Sequence, residues 1–225
     1  THFLVNSQKV GSMAQRHFEK AIWGENHRFG RIVTLEDYDA VTTDTLRNYH
    51  RKIYGSGNCT IFVSGKIDDT ITETIATIFG NEEWGTATPI IPTLPTLEGG
   101  KKERIDIKIE GAMQSAIKIG APILPTGHPD YYALKYLTVL LGGFFGSRLM
   151  TNIREKNGYT YHIESEVSTF GDKHVLSITT EAANEYVEPL IKEVYNELHR
   201  LQDEPVSAEE MQKLRNCTLG ELCRE

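Results

Sequence analysis

The chain has 225 residues, of which 39% are hydrophobic and 24% are charged. This composition is typical of a folded globular protein with one large domain, or one domain and part of another. The 24 basic and 31 acidic residues give a formal charge of −7, which disfavours nucleic acid as a partner because a phosphate backbone usually requires a basic face. No apolar run reaches the roughly 18 residues of a membrane-spanning helix, so we expect no membrane span.

The first part of the chain predicts three helices and one strand. Apolar side chains recur at helical spacing over residues 8–23, and residues 58–64 alternate between apolar and polar side chains as a strand does. Two further helices are indicated by their capping candidates, Thr42 or Thr43 for the second helix and Asp68 or Asp69 for the third, which runs to about Phe79. Prolines exclude a helix or a central strand over residues 86–100, so we expect an edge segment or an exposed connection there.

The rest of the chain predicts further strands and helices. Residues 105–109 and 114–120 read as strands, and a helix follows that opens at Pro129 and Asp130 and ends at Gly142 and Gly143. Ser147 is placed to cap a short helix that Gly158 closes, while Arg148 is most simply a surface charge. The last predicted elements are a hairpin of residues 159–167 and 173–180, an amphipathic helix over 187–201, and a helix that a Ser207–Glu210 capping box opens and that runs to Glu225. Runs of consecutive strands favour an α+β fold, a two-layer, mainly antiparallel sheet with helices packed on it.

The segment 140–161 carries the most specific pattern. A helix ends at Gly142 and Gly143, a short helix carries Arg154, and a turn leads into a strand that carries Tyr161. A guanidinium and a phenol seven residues apart across such a turn can converge on one polar target, such as a peptide carbonyl. The glycines do not predict a phosphate loop, because no Lys-Ser/Thr pair follows them and no strand precedes them. We expect them to break the helix and to permit a close backbone approach.

This arrangement resembles the Arg/Tyr signature of the pitrilysin/insulinase-like zinc metallopeptidases, which include the mitochondrial processing peptidases. Other parts of the family are resembled, in the same order, by residues 18–31, 42–54, 58–65, 114–120, 128–134 and 207–214. The resemblance implies related α+β modules that form half of a clamshell. Residues 1–64 are then the end of a preceding zinc-peptidase-like module. Residues 65–225 are a C-terminal-type module, with a helix, a linker, a sheet that carries the Arg/Tyr motif, and closing helices.

The family binds zinc through a His-x-x-Glu-His motif and a distal Glu, and none of the eight histidines of this chain stands in such a motif. His17 and Glu19 form the nearest cluster, at the wrong spacing. We therefore carry over no metal ligand and expect zinc in the parent protein or in a partner module, with none bound by this chain. We expect the chain to be part of a longer protein, because it has no initiator Met. The zinc motif then lies upstream, or the parent is a zinc-free member of the family.

The resemblance also implies roles for four residues. Arg154 would bind a substrate carbonyl, Tyr161 would stabilise the tetrahedral oxyanion, and Gly142 and Gly143 would adjoin the strand that binds the peptide. A purely structural interpretation is an Arg154 paired with Glu155 or Glu164 and a Tyr161 packed on the sheet. Tyr159 is the rival for the phenol role.

Three functions follow from these predictions. The chain is the substrate-positioning part of a zinc endopeptidase and is inactive alone, or a non-catalytic subunit that binds extended peptides and pairs with an active family member, or a purely architectural subunit. We favour the first. The retention of both Arg154 and Tyr161 argues against the third. The expected partners are extended peptides and another module or subunit of the same family. The compartment cannot be read from the residues; a cell-envelope or periplasmic location is a hypothesis that the exported bacterial members of the family suggest.

Overall fold

The computed structural model describes residues 2–85 and 103–224, and the chain divides into two compact units. One unit combines Thr1–Ile32 with Thr96–Glu225, and the other is Val33–Pro95. Within the described parts, no helix is both long and apolar enough to cross a membrane. The predicted linker over residues 86–100 lies outside the described residues, and the predicted module boundary after residue 64 stays a prediction.

The described residues contain eight α-helices, three strands, a π-helix and two 3₁₀ turns, joined by loops. In chain order they are α1 (His2–Ser7), α2 (Val10–Trp23), α3 (Leu35–Asp39), α4 (Thr43–Ile53), a 3₁₀ turn (Ser56–Asn58), α5 (Asp69–Phe79), β1 (Gln114–Ile123), α6 (Tyr131–Gly142), a π-helix (Met150–Lys156), β2 (Thr160–Phe170), β3 (Lys173–Ala183), a second 3₁₀ turn (Asn184–Tyr186), α7 (Val187–Asp203) and α8 (Ala208–Leu222).

The three strands of the larger unit form one antiparallel sheet in the order β1-β3-β2. The predicted hairpin is confirmed: β2 and β3 pair up to Phe170 and Lys173, and Gly171 adopts the positive φ of 65° that the tight turn requires. Since β3 lies in the centre, β2 pairs on one side only among the described residues, and its other edge is open.

The side chains of β3 contribute to two apolar clusters because successive residues of a strand face opposite sides of the sheet. Ile178 and Ala182 belong to the main core, with buried residues of α6, of α7 and of the segment that includes the π-helix, namely Leu141, Leu149, Met150, Ile153, Leu190 and Val194. Val175, on the opposite face, packs against Ile22 and Trp23 of α2. The predicted α+β class, an antiparallel sheet with helices packed on it, is confirmed.

The smaller unit contains helices that begin where the predicted caps stand. The Thr42 side chain accepts a hydrogen bond from the Thr45 N–H and opens α4, and the Asp68 side chain accepts one from the Ile71 N–H and opens α5. The short helix α3 was not predicted from the sequence, although Thr34 opens it with a capping box of the same kind.

Two predicted strands are wrong. Residues 58–64 begin at the last residue of a 3₁₀ turn and form no strand, and residues 105–109 likewise form none. Alternating side chains show only that a segment could line a sheet. A strand also needs a neighbour whose backbone groups complete the ladder, and neither segment takes part in a β-ladder among the described residues.

The predicted roles of Ser147 and Arg148 also need correction, whereas the predicted cap of the last helix does not. Ser147 does not cap the short helix, because its Oγ is buried and finds no hydrogen-bond partner among the described residues. Arg148 is not a surface charge: its side chain is 9% exposed and makes a bidentate ion pair with Glu210, with Nε–Oε1 2.7 Å and Nη2–Oε2 3.1 Å. The predicted Ser207–Glu210 capping box is present, and α8 ends at Leu222.

We expect Glu210→Gln to lower the free energy of unfolding at pH 7 by about 2 kcal/mol, because it leaves the Arg148 charge buried without its carboxylate. The hydrogen bond from Arg148 lowers the pKa of Glu210 from 4.5 to about 2. A carboxyl with a depressed pKa stabilises the fold above its unfolded-state pKa, and this contribution is lost as the pH falls from about 4.5 towards 2. Denaturant titrations at pH 7 and pH 3 should therefore differ less for the variant than for the wild type.

The matched control for that experiment is Glu209→Gln, one residue earlier in α8, since Glu209 forms an ion pair with the exposed Lys213 and with no other described residue. An exposed pair of this kind contributes about 0.5 kcal/mol or less. An equal loss of stability in the two variants would contradict the importance of the Arg148–Glu210 pair.

Candidate functional site

Arg154 lies in a π-helix rather than in the ordinary helical turn that the sequence predicts. The wide turn ends where the Asn157 N–H donates to the Asn152 carbonyl at 3.2 Å and the Asn157 side-chain amide donates to the same oxygen at 2.8 Å. Ile153 is fully buried and anchors the π-helix in the core, and its neighbour Arg154 is half-buried at the edge of that core. Short π-helical turns occur frequently at functional sites.

The structure brings Arg154 and Tyr161 together. The Arg154 Cζ lies 5.5 Å from the centre of the Tyr161 ring and 4.8 Å from the centre of the Phe145 ring. Both rings are exposed, Tyr161 at 88% and Phe145 at 63%, so the guanidinium is held between two aromatic faces that solvent or a ligand can reach. Phe145 was not identified from the sequence. The available signal was the pair of phenylalanines, Phe144 and Phe145, between the double glycine and the short helix.

The structural interpretations of the two residues do not match this geometry. No carboxylate of the described residues lies within 4.0 Å of the Arg154 guanidinium, and Glu164 instead lies 3.4 Å from His162. Tyr159 is half-buried against the core and stacks on Tyr186 with the ring centres 5.4 Å apart. Tyr161 is therefore the phenol that lies beside Arg154.

A β-bulge at the start of β2 explains why Tyr161 is exposed. Thr160 pairs with Ala182 and Ile163 pairs with Thr180, so β2 holds one residue more than β3 over this stretch. The bulge is fixed by two buried hydroxyls: Thr160 Oγ1 accepts from the His162 N–H at 3.2 Å, and Thr180 Oγ1 lies 2.8 Å from the His162 carbonyl oxygen. Bulges redirect side chains and are common next to active sites.

The double glycine sets the distance between α6 and β2. A Cβ on Gly142 would lie 2.6 Å from the Ser165 backbone nitrogen, so only glycine permits this close approach. Gly143 ends α6 in a helical conformation, and its N–H donates to the Val139 carbonyl at 2.8 Å. Neither glycine forms a phosphate-binding loop. Their effect on the site is to hold β2, and with it the strand end that carries Tyr161, against α6.

The described residues offer hydrogen-bond donors rather than metal ligands. Across residues 2–85 and 103–224, no group of three or more His, Cys, Asp or Glu side chains could hold a metal ion. Glu19, the acidic member of the nearest sequence cluster, accepts a hydrogen bond from Gln15 at 2.7 Å within α2. The chemistry available at the site is that of the half-buried Arg154 guanidinium and the exposed Tyr161 hydroxyl, two donors beside an open strand edge.

Fold and site together define an α+β module in which an arginine and a tyrosine lie at the end of an edge strand. The family model described as "Peptidase M16 inactive domain" matches residues 40–217, and the chain belongs to this family. The predicted membership of the pitrilysin-like metallopeptidases, as a C-terminal-type module, is confirmed.

Three comparisons illustrate this relationship. An uncharacterized zinc protease of Bacillus subtilis is 27% identical over 207 residues, which is 90% of this chain and 49% of that protein. A peptidase M16 inactive domain from Pseudomonas fluorescens superposes with a TM-score of 0.78 at 23% identity, over 97% of this chain and 53% of that one. A protease from Helicobacter pylori superposes with a TM-score of 0.83 at 18% identity, over 97% and 54%. The chain thus spans about half the length of these proteins, and the two structures support the fold alone.

Proposed function

We propose that this chain is the substrate-positioning part of a zinc-dependent endopeptidase, with Arg154 and Tyr161 supporting the chemistry of a zinc site in a facing module. The observation that carries the proposal is the contact between Arg154 and the exposed Tyr161. Arg154 lies against the Tyr161 ring, and no described carboxylate neutralises it. A half-buried guanidinium without a described carboxylate partner, beside the start of an edge strand, is suited to a polar ligand.

The open edge of β2 supports binding of an extended peptide. An edge strand presents unpaired backbone N–H and C=O groups, and a peptide that adds as a further strand completes this ladder. Tyr161 is the second residue of β2, so the backbone of a peptide paired with this strand would pass beside Arg154 and Tyr161. The Arg154 guanidinium can then donate to a substrate carbonyl, which orients the bond to be cut.

The Tyr161 hydroxyl has the chemistry to donate to the oxyanion that forms on the attacked carbonyl. A hydrogen-bond donor placed where negative charge develops lowers the activation barrier by on the order of 3 kcal/mol. Zinc, when held by another module, would supply an activated water. The described residues of this chain do not fit zinc, so we assign no step at the metal to them.

The alternative is a non-catalytic subunit that holds extended peptides for an active family member. The same open edge of β2 favours it, because peptide binding requires neither zinc nor a water-activating carboxylate. The two functions differ in one property, the metal content of the parent protein.

Elemental analysis of the purified full-length parent after dialysis separates them. We expect about one zinc per chain, since a complete catalytic site needs one zinc ion that keeps a coordination position open for water or substrate. A chelator should then abolish peptide hydrolysis, and added zinc should restore it. A metal-free parent that binds peptides but cleaves none would overturn the endopeptidase proposal and favour the silent subunit.

A further inference from the structure

The Arg154 guanidinium is held by aromatic rings rather than by polar partners. Among the described residues, no carboxylate pairs with it and no acceptor takes a hydrogen bond from it, and its contacts are the rings of Phe145 and Tyr161. A long side chain without contacts samples many rotamers, and ordering it when a ligand arrives costs binding free energy. The two rings therefore determine how well the guanidinium is placed before a peptide binds.

Phe145 is the ring that the proposed function leaves without a role. The Arg154 Cζ lies 4.8 Å from the centre of the Phe145 ring and 5.5 Å from that of Tyr161, both within the roughly 6 Å over which a ring face attracts a cation. Phe145 is 63% exposed and belongs to neither apolar cluster of the described residues. Packing in the core does not account for its position.

The loop that carries Phe145 is anchored on both sides. Before it, Gly142 lies in close contact with β2. After it, Ser147 and Leu149 are fully buried, and the Ser147 N–H donates to the Phe144 carbonyl at 3.0 Å, which closes the turn. A short loop between two buried ends keeps its tip in one place, so the Phe145 ring is presented beside the π-helix although solvent reaches it.

We infer that Phe145 is a positioning residue, whose ring holds the Arg154 guanidinium at the start of β2 for contact with a peptide carbonyl. A carboxylate in the same place would neutralise the guanidinium and accept hydrogen bonds from its N–H groups. A ring attracts the charge through its quadrupole and offers no carboxylate oxygen, so the N–H groups stay available to the ligand. The inference rests on the proposed function, because it gives Arg154 the same task.

Steady-state kinetics of the full-length parent test this role, with the internally quenched nonapeptide that is cleaved best in a mixed-sequence library as substrate. Phe145→Leu keeps an apolar side chain and removes the ring. We expect KM to rise about fivefold, the effect of losing one cation–π contact, with kcat nearly unchanged. The effect falls on KM because Arg154 contacts a carbonyl in the bound substrate as well as in the transition state. Phe145→Tyr keeps the ring and should restore KM to within about twofold of the wild type.

Phe144→Leu is the matched control, since it makes the same change one residue earlier, at a half-buried ring with no described contact to Arg154. It should leave KM unchanged. A merely structural effect lowers the folded fraction and hence the apparent kcat, whereas KM does not depend on the amount of folded enzyme. An unchanged KM in Phe145→Leu would overturn the positioning role, as would an equal rise in Phe144→Leu or in Phe145→Tyr.

A double-mutant cycle separates positioning from direct contact between Phe145 and the peptide. Arg154→Met removes the guanidinium, and adding Phe145→Leu to it should raise KM no further if Phe145 acts through Arg154. A further fivefold rise in the double variant would show that Phe145 contacts the peptide itself, and would overturn the positioning role.

The failure of this inference is distinguishable from the failure of the proposed function. A parent that cleaves peptides with an unaffected Phe145→Leu variant overturns the inference alone. A parent that cleaves no peptide overturns the endopeptidase, and the same variants are then compared by fluorescence anisotropy with labelled β-casein, an unfolded polypeptide. Fivefold weaker binding in Phe145→Leu, absent in the Arg154→Met background, would support the positioning role. Unchanged binding, or no binding by the wild type, would overturn it.

Discussion

Replacing Tyr161 with Phe is expected, on the function proposed above, to lower the kcat of peptide hydrolysis by the parent protein about 100-fold, with little change in KM. The substitution removes only the hydroxyl. The remaining ring can keep the contact with the Arg154 guanidinium, whose Cζ lies 5.5 Å from the ring centre. The peptide should therefore bind as before, while the oxyanion loses a donor that acts mainly in the transition state. Steady-state kinetics on a peptide substrate, with zinc content measured in parallel, provide the measurement.

Tyr159→Phe is the matched control, since it makes the same chemical change two residues away. Tyr159 packs half-buried against the core and stacks on Tyr186, so its loss of a hydroxyl should leave kcat within about twofold of the wild type. A large loss of kcat in Tyr159→Phe with normal activity in Tyr161→Phe would move the phenol role to Tyr159. Normal activity in both variants would remove the oxyanion role from this strand.

The features that could be predicted from the sequence depend on residues close together in the chain. The cap at Thr42 and the capping box at Ser207 each join a side chain to a backbone N–H three residues later, so a short pattern contains all the required atoms. The Arg154–Tyr161 pair is similar, because one helix and one turn separate the two side chains. Patterns of this length predict contacts well.

The features that could not be predicted depend on distant partners. The β-bulge that exposes Tyr161 is held by the Thr180 hydroxyl of the neighbouring strand, and Arg148 is buried because Glu210, 62 residues later, pairs with it. The wrong strand over residues 105–109 has the same cause: its alternation is local, whereas the neighbour that it would need is not. The π-helix is a further case, since an apolar pattern over seven residues does not distinguish it from one more α-helical turn.

The contact between α6 and β2 gives the second large prediction. We expect Gly142→Ala to lower the free energy of unfolding by about 2 kcal/mol or more, the usual cost of forcing atoms into a packed interface. The new Cβ would meet the Ser165 backbone nitrogen at 2.6 Å and the Ser165 Oγ at 2.8 Å. Because the first of these is a backbone atom, the clash is relieved only by moving the helix away from the strand. Denaturant unfolding measures the loss.

Gly220→Ala makes the same substitution in α8, where a Cβ meets nothing within 4 Å. Alanine in an open helical position stabilises by about 0.5–1 kcal/mol, so the two variants should change stability in opposite directions. On the proposed function, Gly142→Ala should also lower the rate of peptide hydrolysis by the parent protein under conditions where the protein is still folded, because the displaced β2 carries Tyr161 at its start. A folded Gly142→Ala variant with full activity would show that the distance between α6 and β2 does not control the site.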